Sequence, residues 1–211
     1  MIAVALGRCG DSYESQHLVG VNLRNALIRA SDRNVEECIF NKEQNGKPRA
    51  WGADGEEIYY SVSHSHGIAV CAVAADDFSI SEENGYDELP MTSDTSADSD
   101  KRASVLVLPV AHSGEIGADI ELVNTGNASR YKAIAKRYLA VNDTDDLSYD
   151  DFFRLWTRRE ALGKLTGNGV INPGVSEDEF SFFTFKISSD GQEWYMSVCF
   201  REAPGKRFTL C

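Results

Sequence analysis

FFRLWTRREALGK, residues 152–164, has the spacing of an amphipathic helix. Phe152, Leu155, Trp156 and Leu162 recur on one side, Phe153 and Ala161 widen it, and Arg154, Arg158, Arg159, Glu160 and Lys164 carry the charge. Glu160 and Lys164 are four apart and stand one turn apart on one face. Two readings follow. One is a surface helix with an ordinary ion pair. In the other, Glu160 is one ligand of a metal site and Lys164 points at its substrate. A second stretch bears on the choice: IGADIE, residues 116–121. In a strand, Asp119 and Glu121 leave the same face and Ile120 turns into the core. Two neighbouring carboxylates repel, and a hard divalent cation such as Mg²⁺ relieves them while also taking phosphate and water oxygens. By itself, the Asp-x-Glu pair reads first as an exposed polar strand face.

Outward from these stretches, the chain alternates strand and helix signals. Residues 2–6 predict a strand and 15–30 a helix carrying Arg24 and Arg29, with Arg33 just beyond. A short strand is expected at 35–40, followed by a turn-rich loop, NKEQNGKPRAW, with Gly46-Lys47-Pro48 as a tight connection. Residues 58–63 and 68–75 read as two strands of a hairpin, joined through Ser63-His64-Ser65-His66-Gly67. From 76 to 100, nine residues are Asp or Glu and none is Lys or Arg, the composition of a mobile acidic loop. Strands are expected at 104–111, with Pro109 marking an edge or an end, and at 116–122, with a tight turn near Gly114. A helix is expected at 130–140. An acidic connection over 142–151 offers Asp150 or Asp151 as cap of the next helix. Gly167-Asn168-Gly169 ends that helix. Strands at 180–187 and 194–200 flank a turn at Ser189-Asp190-Gly191.

The 211 residues are 42% hydrophobic, enough for one large domain or two small ones sharing a core. The formal charge of -12 speaks against non-specific nucleic-acid binding, which needs a basic footprint. Five scattered cysteines, an odd number without metal-finger spacing, read as reduced thiols of a cytoplasmic protein. MIAVALGRCG lacks the basic start of a signal peptide, and no apolar run reaches membrane-spanning length, so no membrane partner is expected. No internal Ser-His-Asp arrangement is evident.

Taken in order, GKP at 46–48, YYSVSHS at 59–65, IGADIE at 116–121 and WTRREALGK at 156–164 resemble the Sfp-type 4'-phosphopantetheinyl transferase family, within the holo-[acyl-carrier-protein] synthase superfamily. IAKRYL at 134–139 and the Gly167-Asn168-Gly169 turn agree with it. The resemblance covers about residues 40–75 and 114–200. It implies an α+β fold, a pseudo-dimer of two similar α/β subdomains, here 1–111 and 112–211, with the active site in the cleft between them. It implies an enzyme that moves the 4'-phosphopantetheine arm of coenzyme A onto a serine of an apo acyl or peptidyl carrier protein, releasing 3',5'-ADP. By resemblance, Asp119, Glu121 and Glu160 hold Mg²⁺, and Lys164 neutralises or protonates the leaving diphosphate. His64 contacts the 3'-phosphate, Lys47 and Pro48 line the nucleotide pocket, and Glu160 is a candidate base. One chain would supply the whole cleft, so a monomer suffices.

Three departures stand out. The region before GKP is short, leaving Arg24, Arg29 or Arg33 as guesses for gripping the 3'-phosphate. The acidic stretch 76–100 separates two motifs that the family joins by a short connection. A net acidic enzyme also needs a local basic patch for an acidic carrier, with Lys132, Lys136, Arg137 and Arg158 as candidates. The rival readings are a coenzyme A-binding relative with a changed acceptor or lost activity, a non-catalytic acidic adaptor, and a metal-dependent phosphate hydrolase.

Overall fold

The computed structural model describes residues 1–79, 82–83, 86–90, 102–110, 112–141, 143–170 and 175–203. Strand β1 (Ile2–Arg8) leads into helix α1 (Tyr13–Ala30), whose cap Ser12 accepts a hydrogen bond from the Ser15 N–H. Strands β2 (Ile39–Lys42), β3 (Pro48–Trp51) and β4 (Glu57–Ile58) form a small antiparallel sheet. The stretch expected to be a loop is thus mostly a hairpin, with GKP closing its turn: Pro48 opens β3, and Gly46 takes the positive φ of 85°. The strand expected at 35–40 is a 3-10 turn at Val35–Glu37 running into β2. Asn34 caps that turn, competing with the extended form.

A six-stranded sheet has the order β5-β6-β1-β9-β8-β7, built from β5 (Tyr60–Ser65), β6 (Ile68–Ala74), β7 (Glu82–Glu83), β8 (Tyr86–Pro90) and β9 (Arg102–Leu108). The β5–β6 hairpin forms as expected, and β9 ends just before Pro109. The acidic stretch is not all loop: β8 pairs antiparallel with β9, so 86–90 extends the sheet. Residues 91–100 of that expected loop lie outside the described residues. A third sheet has the order β10-β12-β11, from β10 (His112–Leu122), β11 (Ser181–Ser189) and β12 (Gln192–Glu202). Near Gly114, one strand continues through an irregularity between His112 and Ile116 instead of turning. Asp190 and Gly191, both at positive φ, make the expected β11–β12 turn. Helix α2 (Ala128–Tyr138) precedes α3 (Tyr149–Thr166). Ser148, not Asp150 or Asp151, caps α3, accepting from the Asp151 N–H. The two aspartates sit in the first turn instead, where the helix dipole favours them.

Alternation along the strands sets the layers. Ala3, Ala5, Ala69, Cys71 and Val73 pack against Leu23, Leu27 and Ile28 of α1. Ile2, Val4, Val70 and Ala72 face the opposite way and meet Ile116, Ala118, Ile120, Trp194, Met196 and Val198 of the third sheet. The far side of that sheet carries α3 through Ala161, Leu162, Leu165 and Cys199. Each buried leucine contributes about 2 kcal/mol by leaving water. Ile120 is 1% exposed, in the core as its spacing implies.

The glycine of IGADIE has a steric reason. A Cβ on Gly117 would lie 2.0 Å from the Ala161 carbonyl oxygen and 2.6 Å from the Leu165 nitrogen. Helix α3 therefore rests directly on the β10 backbone. Behind this contact, the Thr157 hydroxyl meets the Ser197 hydroxyl at 2.9 Å, and Ser197 meets Thr184 at 2.9 Å, tying α3 to β12 and β11. Gly117→Ala is expected to cost about 3 kcal/mol, read as a lower urea midpoint at unchanged slope. A loss below about 0.5 kcal/mol would show that the helix can lift off the strand without penalty.

Candidate functional site

The site lies where β5, β10 and α3 meet. Strand β5 turns Tyr60 and Val62 toward the α1 layer and Ser61, Ser63 and Ser65 the other way. These serines, all buried, stitch β5 to β10 with side chains where the two sheets share no ladder. Ser61 Oγ accepts the Ala118 N–H at 2.9 Å, Ser65 Oγ accepts the Leu122 N–H at 3.1 Å, and Ser63 Oγ donates to Asp119 Oδ1 at 2.9 Å. Trp194 Nε1 donates to the Ser65 carbonyl at 3.1 Å. The sequence signal for these serines is their alternate spacing in YYSVSHS.

Asp119 and Glu121 leave the same face of β10, as expected, but Asp119 is 4% exposed and not part of an exposed polar face. Helix α3 covers it. Lys164 Nζ donates to Asp119 Oδ1 at 2.8 Å, so the lysine reaches across to the strand instead of pairing along its own helix with Glu160. Both hydrogen bonds fall on Oδ1, and Asp119 Oδ2 is buried without a hydrogen-bond partner. Burial, then the charges of Asp119 and Glu160, push the Glu121 carboxyl up to about 7. Burial and the charge of Asp119 push Glu160 up to about 7 as well. Three carboxyl groups thus share a poorly solvated region with Lys164 as nearby counter-charge.

The donor set suits a hard cation: all-oxygen, with one buried carboxylate oxygen lacking a partner and two acids whose pKa is raised to about 7, by burial first and neighbouring carboxylates second. As the side chains stand, no group of three or more His, Cys, Asp or Glu among the described residues converges as metal ligands do. With Lys164 on Asp119, a cation would have to reorganise the cluster.

A cavity of about 310 Å³ opens beside the cluster. Asn45, Gly46, Lys47 and Pro48 line it from the hairpin, Tyr60, Ser61 and Val62 from β5, and Glu160, Gly163, Lys164, Gly167 and Gly169 from α3 and its end. Lys47 and Pro48 thus both line this cavity. The Lys47 ammonium, however, is already held, donating to Glu115 Oε1 at 2.8 Å and to the Leu165 carbonyl at 2.6 Å. His64 is half-buried, edge-on to the exposed Tyr13 ring at 6.2 Å. Burial, then Lys164, lowers its pKa, so it is neutral at pH 7. Of the three arginines considered for anion binding, Arg29 pairs with Glu36 and Arg33 with Asp54 and Glu56. Arg24 instead lies 3.7 Å above the Phe40 ring and 5.5 Å from that of Tyr60, a wall of the cavity.

The candidate basic patch is only partly available. Lys132 pairs with Asp145, and Arg158 pairs with Glu177 and lies over Phe182. Lys136 and Arg137 are exposed on α2, with Arg137 over its neighbour Tyr138 and Tyr138 against Trp156 of α3. Among the described residues, Cys9, Cys38, Cys71 and Cys199 are free thiols. No helix among them is long and apolar enough to cross a membrane.

Residues 115–203, spanning β10, both helices and the β11–β12 hairpin, match the model of the 4'-phosphopantetheinyl transferase superfamily. That part of the chain, which contains all of IGADIE and WTRREALGK, is therefore similar to the 4'-phosphopantetheinyl transferase superfamily. Among curated proteins, the chain is similar to the 4'-phosphopantetheinyl transferase psf-1 of Bacillus pumilus, 28% identical over 165 residues that cover 75% of this chain and 49% of that protein. The chain spans about half the length of the curated relative it matches.

The carboxylate cluster makes a pH-dependent contribution to stability. Glu121 titrates near 7 in the fold against 4.5 ordinarily, so the folded protein binds the extra proton between these values and loses stability as pH rises through them. In the absence of divalent cations, Glu121→Gln should be more stable than the parent by on the order of 2 kcal/mol at about pH 8, with the gain vanishing near pH 4. Urea titrations at both pH values measure this, and a gain independent of pH would remove the ionisation of the half-buried Glu121 as its cause.

Proposed function

We propose that the protein transfers the 4'-phosphopantetheine group of coenzyme A to a serine hydroxyl of an apo acyl or peptidyl carrier protein, releasing 3',5'-ADP. The observation that carries this reading is the convergence of the IGADIE and WTRREALGK motifs on one cluster, the buried Asp119 with the half-buried Glu121, Glu160 and Lys164, whose α3 side opens on the GKP-lined cavity. In this reading 1–111 and 112–211 are the two α/β subdomains, the site lies between them, and one chain suffices. The Sfp type is favoured over the holo-acyl-carrier-protein synthase type because GKP and SHS precede the C-terminal motifs in the same chain. A cytoplasmic setting agrees with the free thiols.

Asp119, Glu121 and Glu160 would hold Mg²⁺, which supplies charge neutralisation at the pyrophosphate. Lys164, already hydrogen-bonded to Asp119, stands to share the negative charge that builds on the leaving 3',5'-ADP and to donate a proton to it. Glu160, directly or through a water it orients, takes the proton of the incoming serine, which is too weak a nucleophile without a base. The serine oxygen bonds to the β-phosphorus as the bond to the leaving phosphate oxygen breaks, the two oxygens being in line. Neutral His64 donates an N–H to the 3'-phosphate, and Lys47 and Pro48 bound the nucleotide. The exposed Lys136 and Arg137 offer an acidic carrier its basic contact, a smaller patch than four residues would give.

Intact-mass measurement of a panel of apo carrier proteins, incubated with the protein, Mg²⁺ and coenzyme A, tests the reading. One carrier is expected to gain one phosphopantetheine, with no gain when its acceptor serine is alanine. Glu160→Gln should lower the rate at least about 100-fold. Coenzyme A binding without transfer to any carrier would favour the changed-acceptor relative, and neither binding nor transfer would remove the transferase reading. His64→Ala should raise the KM for coenzyme A about tenfold or more and leave that for 3'-dephospho-coenzyme A nearly unchanged. Equal losses on both would exclude the 3'-phosphate contact.

A further inference from the structure

The buried hydroxyl of Ser63 has a use beyond joining two strands. Its neighbours in the seam, Ser61 and Ser65, accept backbone N–H groups of β10, from Ala118 and Leu122. Ser63 alone of the three spends its hydrogen on the Asp119 side chain, at 2.9 Å. It shares Oδ1 with Lys164, which arrives from the opposite side of the strand layer, from α3. The carboxylate is thereby fixed by two donors on one oxygen, while Oδ2, also buried, has none. An aspartate has a two-fold rotor about its last torsion, and either oxygen is equivalent until a donor distinguishes them. A buried carboxylate oxygen left bare costs free energy in the empty protein, so the arrangement is stable only because the surrounding contacts hold it.

Resting on the transferase reading above, we propose that Ser63 is a positioning residue for the divalent cation: its hydrogen bond to Asp119 Oδ1 selects Oδ2 as the oxygen offered to the metal. When the cation draws Lys164 away, Ser63 is the donor that remains on Oδ1, so the carboxylate keeps its orientation through loading. This is the role outer hydrogen bonds play for ligating carboxylates, and losing one typically weakens metal binding ten- to a hundredfold.

The test is Mn²⁺ binding by isothermal titration calorimetry, with saturating coenzyme A and no carrier protein, so that no turnover enters the readout. Ser63→Ala is expected to weaken Mn²⁺ about tenfold or more while leaving coenzyme A binding in the absence of metal within about twofold, and Ser63→Thr, which keeps the hydroxyl, to recover most of the loss. Thr184→Ala is the control. It removes a hydroxyl contact to Ser197 in the third sheet, outside the cavity lining, and should lower thermal stability without weakening Mn²⁺. If Ser63→Ala and Thr184→Ala weaken Mn²⁺ equally, the loss reflects general destabilisation and the proposal is overturned. It is also overturned if Ser63→Ala binds Mn²⁺ as the parent does. Failure of the parent itself to bind Mn²⁺ in the presence of coenzyme A overturns the metal reading beneath it, an outcome distinct from the other two.

Discussion

Strand β10 is held by close contacts to α3 and to β5. On one side, the backbone at Gly117 touches the backbone of α3 at Ala161 and Leu165. On the other, Ser61, Ser63 and Ser65 of β5 reach it with single hydroxyls. Everything the site contains depends on this double constraint. Asp119 and Glu121 would be ordinary surface carboxylates on a free strand face. Pressed under α3, they lose solvation, repel Glu160, and draw Lys164 down from the helix. The electrostatics of the cluster is a product of the packing.

The two motif stretches are therefore two halves of one object. WTRREALGK contributes a buried threonine that links α3 to the sheet, an alanine and a glycine that permit close approach, and two charged side chains that face β10. IGADIE contributes the glycine that receives the helix and the acids it covers. Spacing within each stretch follows from this, since residues two apart on the strand and four apart on the helix meet on facing surfaces.

Much of the fold was legible because it rests on local signals: alternation in β1, β6 and β12, the Gly167 stop of α3, the Asp190-Gly191 turn. Misread segments were those where a local preference met a competing partner. Ser148 outcompeted Asp150 and Asp151 as cap because its hydroxyl reaches the Asp151 N–H. Strand β8 forms in an acidic stretch because β9 offers a ladder, a long-range fact that composition does not carry. The placement of Asp119 and Glu121 on one strand face, and of Glu160 and Lys164 on one helix, was legible from spacing. Their burial was not, because the helix that covers Asp119 lies far along the chain. Nor was the engagement of Lys47 with Glu115 and Leu165, which joins residues distant in sequence.

The contact at Gly117 separates the shape of the site from the quality of the core. In most sites, the distance between facing groups is set by the side chains packed between their elements, and it drifts as those side chains change. Here main chain meets main chain, so the gap between strand and helix is set by the van der Waals radii of backbone atoms. Substitutions among Ile2, Val70, Met196 and their neighbours, on the far face of the sheet, can raise or lower stability without altering that gap. The sheet-to-sheet layer is thus free to diverge in sequence while the spacing of acid and lysine stays fixed, a division of labour that lets one geometry persist on widely differing interiors.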